Sequence, residues 1–175
     1  GSVYQWDLTR GNMSIDIKGD KSYKTKVILS HYGKKLICGE IENSIKVIDT
    51  NTGKEIKSLS PFPDKYSSTI NSAYLSPDGN LIAIQSSDKQ LTVVNLKEDA
   101  ENMAFENEYP IKAVSISPDN KYLFAGGSND FLNIYNIETQ ELKKSLGGSN
   151  TFAYYLGYDN SITSIAIRPD CNYAA

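Results

Sequence analysis

The sequence predicts an all-β fold made of repeated units of four antiparallel strands. Short runs of alternating apolar and polar residues fill the chain, and turns rich in Gly, Pro, Asn and Asp separate them. Three segments also have closely similar sequences: Ile70–Ile84, Ile111–Ala125 and Ile162–Ala175. A degenerate fourth copy spans Val27–Cys38. Alternation predicts strands, and the recurrence predicts that one structural unit is repeated along the chain.

Each copy has the features of a hairpin. In the copy Ile111–Ala125, alternating residues up to Ile116 are followed by the turn Ser117-Pro118-Asp119-Asn120 and a second strand. Proline fixes φ at the second turn position, while Asn or Gly tolerates a positive φ two residues later. The four turns begin at Ser30, Ser76, Ser117 and Arg168, at intervals of 46, 41 and 51 residues.

A third and a fourth strand follow each hairpin. The third strands are predicted at 2–7, 45–49, 91–95 and 132–136, and fourth strands at 55–59 and 141–146. Four antiparallel strands per repeat are the pattern of a β-propeller blade. We therefore predict one run of blades over 1–175: half a blade at 1–18, full blades at 26–59, 70–106 and 111–146, and half a blade at 162–175. Because closed propellers have about four to eight blades, we expect part of a larger propeller. Pairing of the two halves into a four-bladed ring is the alternative.

The dipeptide at the end of each third strand resembles a known repeat. Trp6-Asp7 is similar to the Trp-Asp dipeptide of WD-repeat proteins, and the degenerate versions are Ile48-Asp49, Val94-Asn95 and Tyr135-Asn136. Asp130 lies in the turn where that family usually has an Asp, whereas the family's Gly-His dipeptide is missing, and with it the His–Asp hydrogen-bond network. The resemblance implies a non-catalytic scaffold that mediates protein–protein interactions in a large intracellular assembly. Val3–Gly11 also resembles repeats of cilia- and flagella-associated WD-repeat proteins.

A second resemblance supports an alternative. Residues 43–54 are similar to the YVTN repeat of bacterial and archaeal propellers, which occur in extracellular proteins and in redox or lactone-hydrolysing enzymes.

Residues with catalytic or ligand-binding chemistry are few. His31 is the single histidine, it stands in a turn, and no spacing supplies it with partners. We expect no enzyme activity, cofactor, metal or small-molecule substrate. The net charge of −3 predicts no nucleic-acid partner, and no apolar run is long enough to cross a membrane. Cys38 and Cys171 stand in no motif, so we expect two buried thiols on strands and a cytoplasmic or nuclear protein, with the cilium or cytoskeleton also open. The start of the chain lacks the pattern of a secretory signal, and Gly1-Ser2 is either native or a cloning remnant.

Two long loops between blades carry the candidate binding residues. They span 60–69 and 147–160, and their aromatic residues are Phe62, Tyr66, Phe152, Tyr154, Tyr155 and Tyr158. Exposed aromatics on loops of a rigid scaffold are typical interface anchors. We therefore expect these residues to bind other proteins; the alternative is that the rings fold back and cover the rim of the propeller.

Overall fold

The computed structural model describes residues 2–17, 26–30, 33–39, 44–60, 70–86, 89–97, 101–128, 130–147 and 161–171. In these residues the chain forms fourteen strands and no helix. All the sheets are antiparallel, and three of them have four strands. The predicted all-β fold of four-stranded antiparallel units is thus confirmed. The same residues contain no helix that could span a membrane.

The chain divides into two compact units, Gly1–Thr69 and Ile70–Ala175. The first unit contains a two-stranded sheet and a four-stranded sheet with the strand order β3-β4-β5-β6. Their strands are β1 (Val3–Asp7), β2 (Asn12–Ile17), β3 (Lys26–Leu29), β4 (Lys35–Gly39), β5 (Ile45–Asp49) and β6 (Glu55–Leu59).

The second unit contains two four-stranded sheets, each a simple meander. The first sheet consists of β7 (Ile70–Leu75), β8 (Leu81–Ser86), β9 (Leu91–Asn95) and β10 (Met103–Phe105). The second consists of β11 (Ile111–Ile116), β12 (Tyr122–Gly127), β13 (Phe131–Asn136) and β14 (Leu142–Gly147). Within 161–171 the chain forms no strand beyond an isolated bridge at Ile167, so the half blade at 162–175 stays a prediction.

The hairpin turns adopt the predicted backbone conformation. Gly79 and Asn120, at the fourth position of their turns, have φ of 72° and 60°. Cys171 occupies the same position with φ of 62°. The prediction of two buried cysteines on strands is therefore right for Cys38, on β4, and wrong for Cys171, which lies in a turn and is partly exposed.

The core of the second unit lies between its two sheets. The side chains that form it come from β8, β9 and β10 on one side and from 111–137 on the other: Leu81, Ala83, Leu91, Val93, Phe105, Ile111, Val114, Ile116, Leu123, Ala125, Tyr135 and Ile137. The rings of Phe105 and Tyr135 meet edge to face, with their centroids 5.5 Å apart. Apolar burial between faces holds the sheets together, as between adjacent propeller blades.

The first unit has a smaller core of the same kind. Leu36, Cys38 and Ile48 are buried on the four-stranded sheet, and Val3 of β1 packs against them. The two-stranded sheet thus covers part of one face of its neighbour.

Candidate functional site

The sheets of the second unit have two edges with different roles. Here an edge means the side of a sheet on which its strands begin or end. At one edge lie the starts of β11 and β13 and the ends of β12 and β14, where Ile111 pairs with Gly127 and Phe131 pairs with Gly147. We call this the loop edge, because the segment after Gly147 leaves from it. The opposite edge, which we call the turn edge, carries the hairpin turns 76–80 and 117–121 and the turns that follow β9 and β13.

The predicted binding residues belong to the segments that connect blades. Phe62, Tyr66, Phe152, Tyr154, Tyr155 and Tyr158 all lie outside the described residues, as does His31. For the loop 147–160 the structure fixes the starting point, Gly147 at the loop edge, and the assignment of these aromatics to a partner surface stays a prediction.

At the turn edge, each Ser-Pro-Asp turn is closed by its own side chains. The Ser76 hydroxyl donates to Asp78 Oδ1 at 2.6 Å and accepts from the backbone N–H of Leu81 at 3.0 Å. Ser117 donates to Asp119 Oδ1 at 2.6 Å in the same way. These carboxylates thus have a structural role that explains their recurrence in the sequence.

A hydrogen bond joins the two turns. Asn120 Nδ2 donates to Asp78 Oδ2 over 2.6 Å, and Asn80 Nδ2 donates to the same oxygen over 2.7 Å. Partial burial raises the pKa of Asp78, but hydrogen bonds from Ser76, Asn80 and Asn120 outweigh it and hold the pKa below its usual value. The carboxylate is therefore charged at neutral pH.

The acidic residue of the Trp-Asp dipeptide caps a turn. Asp7 Oδ1 accepts hydrogen bonds from the hydroxyl and the backbone N–H of Thr9, and Asp49 Oδ1 accepts from the same two groups of Thr52. These hydrogen bonds lower the pKa of both carboxyls. Asn95 and Asn136 stand at the equivalent position of the other two repeats. The amide oxygen of Asn95 accepts the backbone N–H of Lys97, and that of Asn136 accepts the backbone N–H of Thr139.

The tyrosine at the tryptophan position of the third full blade forms a different contact. The Tyr135 hydroxyl lies 2.9 Å from Asn107 Oδ1 and 3.0 Å from the carbonyl oxygen of Glu106. Burial raises the pKa of Tyr135, so its hydroxyl stays protonated and donates. This bond ties β13 to the segment before β11. Sequence analysis missed it, since the residues it joins are 28 or more positions apart.

A cleft of about 330 Å³ opens at the turn edge between the two sheets of the second unit. Its lining consists of residues from the turns of both sheets: Asp78, Asn80, Leu81, Asn95, Lys97, Met103, Asn120, Lys121, Asn136, Ile137 and Glu138. We call it the turn cleft. Asn120 Oδ1 is buried and has no hydrogen-bond partner among the residues that the structure describes.

Several apolar side chains of the first unit are exposed. Trp6 is 58% exposed, whereas Ile48, Val94 and Tyr135 at the equivalent position of the other repeats are at most 5% exposed. Tyr4 on β1, Met13 on β2, and Val27 and Leu29 on β3 are further exposed apolar side chains. Leu29 is 55% exposed although its counterparts Leu75 and Ile116 are buried.

Comparison with known proteins agrees with this architecture. The sequence model of the WD domain, G-beta repeat, matches residues 103–136. Translation initiation factor 3 subunit I of Bombyx mori is 25% identical over 153 residues, covering 79% of this chain and 45% of that protein. Autophagy-related protein 16 of Arabidopsis thaliana is 26% identical over 133 residues, covering 75% of this chain and 26% of that protein. The U5 small nuclear ribonucleoprotein 40 kDa protein of Dictyostelium discoideum is 23% identical over 141 residues, covering 79% and 39%. The chain thus spans less than half the length of these relatives.

Among solved structures, the β-propeller domain of Cps50 (Swd1) from Myceliophteria thermophila superposes with a TM-score of 0.76. Its sequence is 17% identical, and the match covers 99% of this chain and 54% of that one. The fold is therefore that of β-propeller blades. The WD repeat itself is matched at 103–136, which agrees with the resemblance found in the sequence.

Proposed function

We propose that the chain is a non-catalytic interaction module that holds other proteins within a multi-subunit assembly. The observation that supports this most is the similarity, over three quarters of the chain, to proteins named as parts of assemblies. One is a subunit of a translation initiation factor, and another is a protein of a small nuclear ribonucleoprotein.

The distribution of polar side chains agrees with this proposal. The recurring carboxylates Asp7, Asp49, Asp78 and Asp119 are all engaged in closing their own turns. In the described part of the chain no three His, Cys, Asp or Glu residues gather as a metal site would require. The polar residues that recur in the repeats therefore stabilise the blades, which leaves the segments between blades for recognition.

The YVTN-type alternative is less well supported. The family model that matches this chain is that of the WD domain, and it matches residues 103–136. The resemblance to the YVTN repeat is confined to residues 43–54. We expect an intracellular protein, in the cytoplasm or the nucleus; Cys38 and Cys171 are both free thiols, as is usual in a reducing compartment.

We assign partner contact to the aromatic loop 147–160. Tyr154→Ala combined with Tyr155→Ala should remove interface anchors and weaken partner binding by about 2 kcal/mol or more, with the blades still folded. The wild-type chain and the double variant are each cross-linked in cells, and the proteins recovered with them are compared. A thermal melt of each chain measures its stability separately. Tyr122→Ala, at the turn edge, is the control and should leave the recovered set unchanged. A lower melting temperature without loss of any recovered protein would contradict the assignment.

The run of blades is proposed to be part of a larger propeller. Trp6 and Leu29 are exposed at positions that packing between sheets buries in the other repeats, so further strands of a larger propeller would cover them. Trp6 is the one tryptophan of the sequence and reports on its own environment by its fluorescence. Its emission, obtained as the difference from a Trp6→Phe variant, should be that of a water-exposed indole in the 175-residue chain and should shift to shorter wavelength in the natural polypeptide. An unchanged spectrum would contradict the proposal.

A further inference from the structure

Three serines of the chain are followed directly by proline: Ser60, Ser76 and Ser117. A Ser-Pro dipeptide is the minimal sequence that proline-directed protein kinases accept. Proline has a fixed φ and no backbone N–H, so a pocket of the kinase can select it over every other residue. By sequence, the three hydroxyls are equal candidates for accepting a phosphoryl group.

The fold closes off two of these hydroxyls. Ser76 and Ser117 both have 0% of their surface exposed. Each donates to the aspartate two residues later over 2.6 Å. Each also accepts a backbone N–H across its turn, from Leu81 at 3.0 Å and from Tyr122 at 2.9 Å. A kinase must bring the attacking hydroxyl to its catalytic aspartate and into line with the transferred phosphorus. Ser76 and Ser117 could therefore react only after their turns open.

Ser60 has the opposite surroundings. It is exposed and follows directly after β6, whose last residue, Leu59, pairs with Ile45. Its hydroxyl forms no hydrogen bond within the part of the chain that the structure describes. The proline that follows disfavours helical backbone at Ser60 and favours an extended one, which can lie across the cleft of a kinase. Of the three Ser-Pro serines, the structure thus leaves only Ser60 accessible.

We propose that Ser60 is a phosphorylation site for a proline-directed protein kinase, and that its phosphate regulates partner contact by the loop 60–69. The site itself follows from accessibility and sequence alone. The regulatory role rests on the proposed function, because Phe62 and Tyr66 of this loop are candidate partner contacts.

The reaction is a transfer of the γ-phosphoryl group of ATP to Ser60 Oγ. The bond between the γ-phosphorus and the oxygen that bridges it to ADP breaks, a bond from Oγ to phosphorus forms, and the hydroxyl proton passes to the catalytic aspartate of the kinase. ADP leaves. The phosphate adds a charge of about −1.5 to −2 at the first residue of the loop. This charge would have to lose water when the loop meets a partner, so the phosphate should weaken that contact.

The test of the site is phosphorylation of the folded 175-residue chain by a proline-directed Ser/Thr kinase with ATP, with the phosphate located by peptide mass spectrometry. Synthetic peptides of residues 54–66, 71–83 and 112–124 show what the kinase accepts without the fold. We expect all three peptides to react. In the folded chain, we expect phosphate at Ser60 and none at Ser76 or Ser117.

Two variants separate the role of the proline from exposure alone. Pro61→Ala should lower the rate of phosphorylation at Ser60 about tenfold or more, since it removes the ring that the kinase pocket selects. Ser58→Ala is the control: Ser58 is exposed on β6 but is not followed by proline, so its loss should leave the rate unchanged. An unreactive 54–66 peptide, an unmodified Ser60 in the folded chain, equal modification of Ser76 or Ser117, or an unchanged rate in Pro61→Ala would each overturn the site.

The regulatory role has a separate measurement. The chain is cross-linked in cells, and the fraction of Ser60 that carries phosphate is compared between chains joined to other proteins and free chains. We expect less phosphate in the joined fraction. Equal fractions would overturn the regulatory role. A chain without cross-linked proteins would overturn both this role and the proposed function, whereas the kinase assay decides the site by itself.

Discussion

The hydroxyl of Tyr135 provides the sharpest test of how these degenerate blades are held together. Tyr135→Phe removes the donor to Asn107 Oδ1 and the Glu106 carbonyl and keeps the ring that packs edge to face on Phe105. A single hydroxyl proton serves the two acceptors, which are partly buried, so the loss should be about 1–2 kcal/mol of unfolding free energy. The expected drop in melting temperature is about 2–8 °C, since domains of 150–250 residues lose about 2–4 °C per kcal/mol.

The matched control is Tyr122, the other tyrosine of the same sheet. Tyr122 accepts a hydrogen bond from Lys143 at 2.7 Å at an exposed site, where water replaces the lost contact. Tyr122→Phe should therefore change stability by less than about 0.5 kcal/mol. Both variants and the wild-type chain are compared by urea denaturation and by thermal melting. If Tyr135→Phe were no more destabilising than Tyr122→Phe, the Tyr135 bond would have no bracing role.

Three further predictions follow from local geometry. Gly126→Ala would place its new methyl carbon 2.6 Å from Cγ2 of Ile162, so denaturation should show a loss of about 1–3 kcal/mol. Gln140 has φ of 59° at the turn position where Gly53 has 68°, so Gln140→Gly should raise stability by about 0.5–1 kcal/mol; no gain on melting would refute the strain. The pKa of Asp78 is lowered by folding, so its stabilisation is complete above the unfolded pKa of about 3.9 and is lost as the pH falls through the lower folded value. Asp78→Asn should remove this part of the acid dependence in melts run from neutral to acid pH.

Much of the fold could be predicted because its signals are local. The alternation of apolar residues and the turn chemistry act within a few residues, so the strands and the turns at Ser76 and Ser117 were predictable from the sequence. The positive φ of Asn120 was predictable for the same reason. The bounds of the long loops could also be predicted from the sequence. The contacts of their aromatic residues could not, because they depend on a partner or a packing surface that no local pattern specifies: Phe152, Tyr154, Tyr155 and Tyr158.

The sequence by itself determined which residues form the strands of the three four-stranded sheets, and the tertiary structure alone decided how far equivalent positions of different repeats are buried. Trp6 and Ile48 occupy the same position of the repeat, yet one is exposed and the other buried, because burial depends on the neighbouring sheet. The turn at Cys171, by contrast, follows from the sequence, because Cys171 occupies the position that Gly79 and Asn120 fill in the other copies. The Tyr135 bond and the turn cleft join residues that are distant in sequence, and only the packing of one sheet on another brings them together.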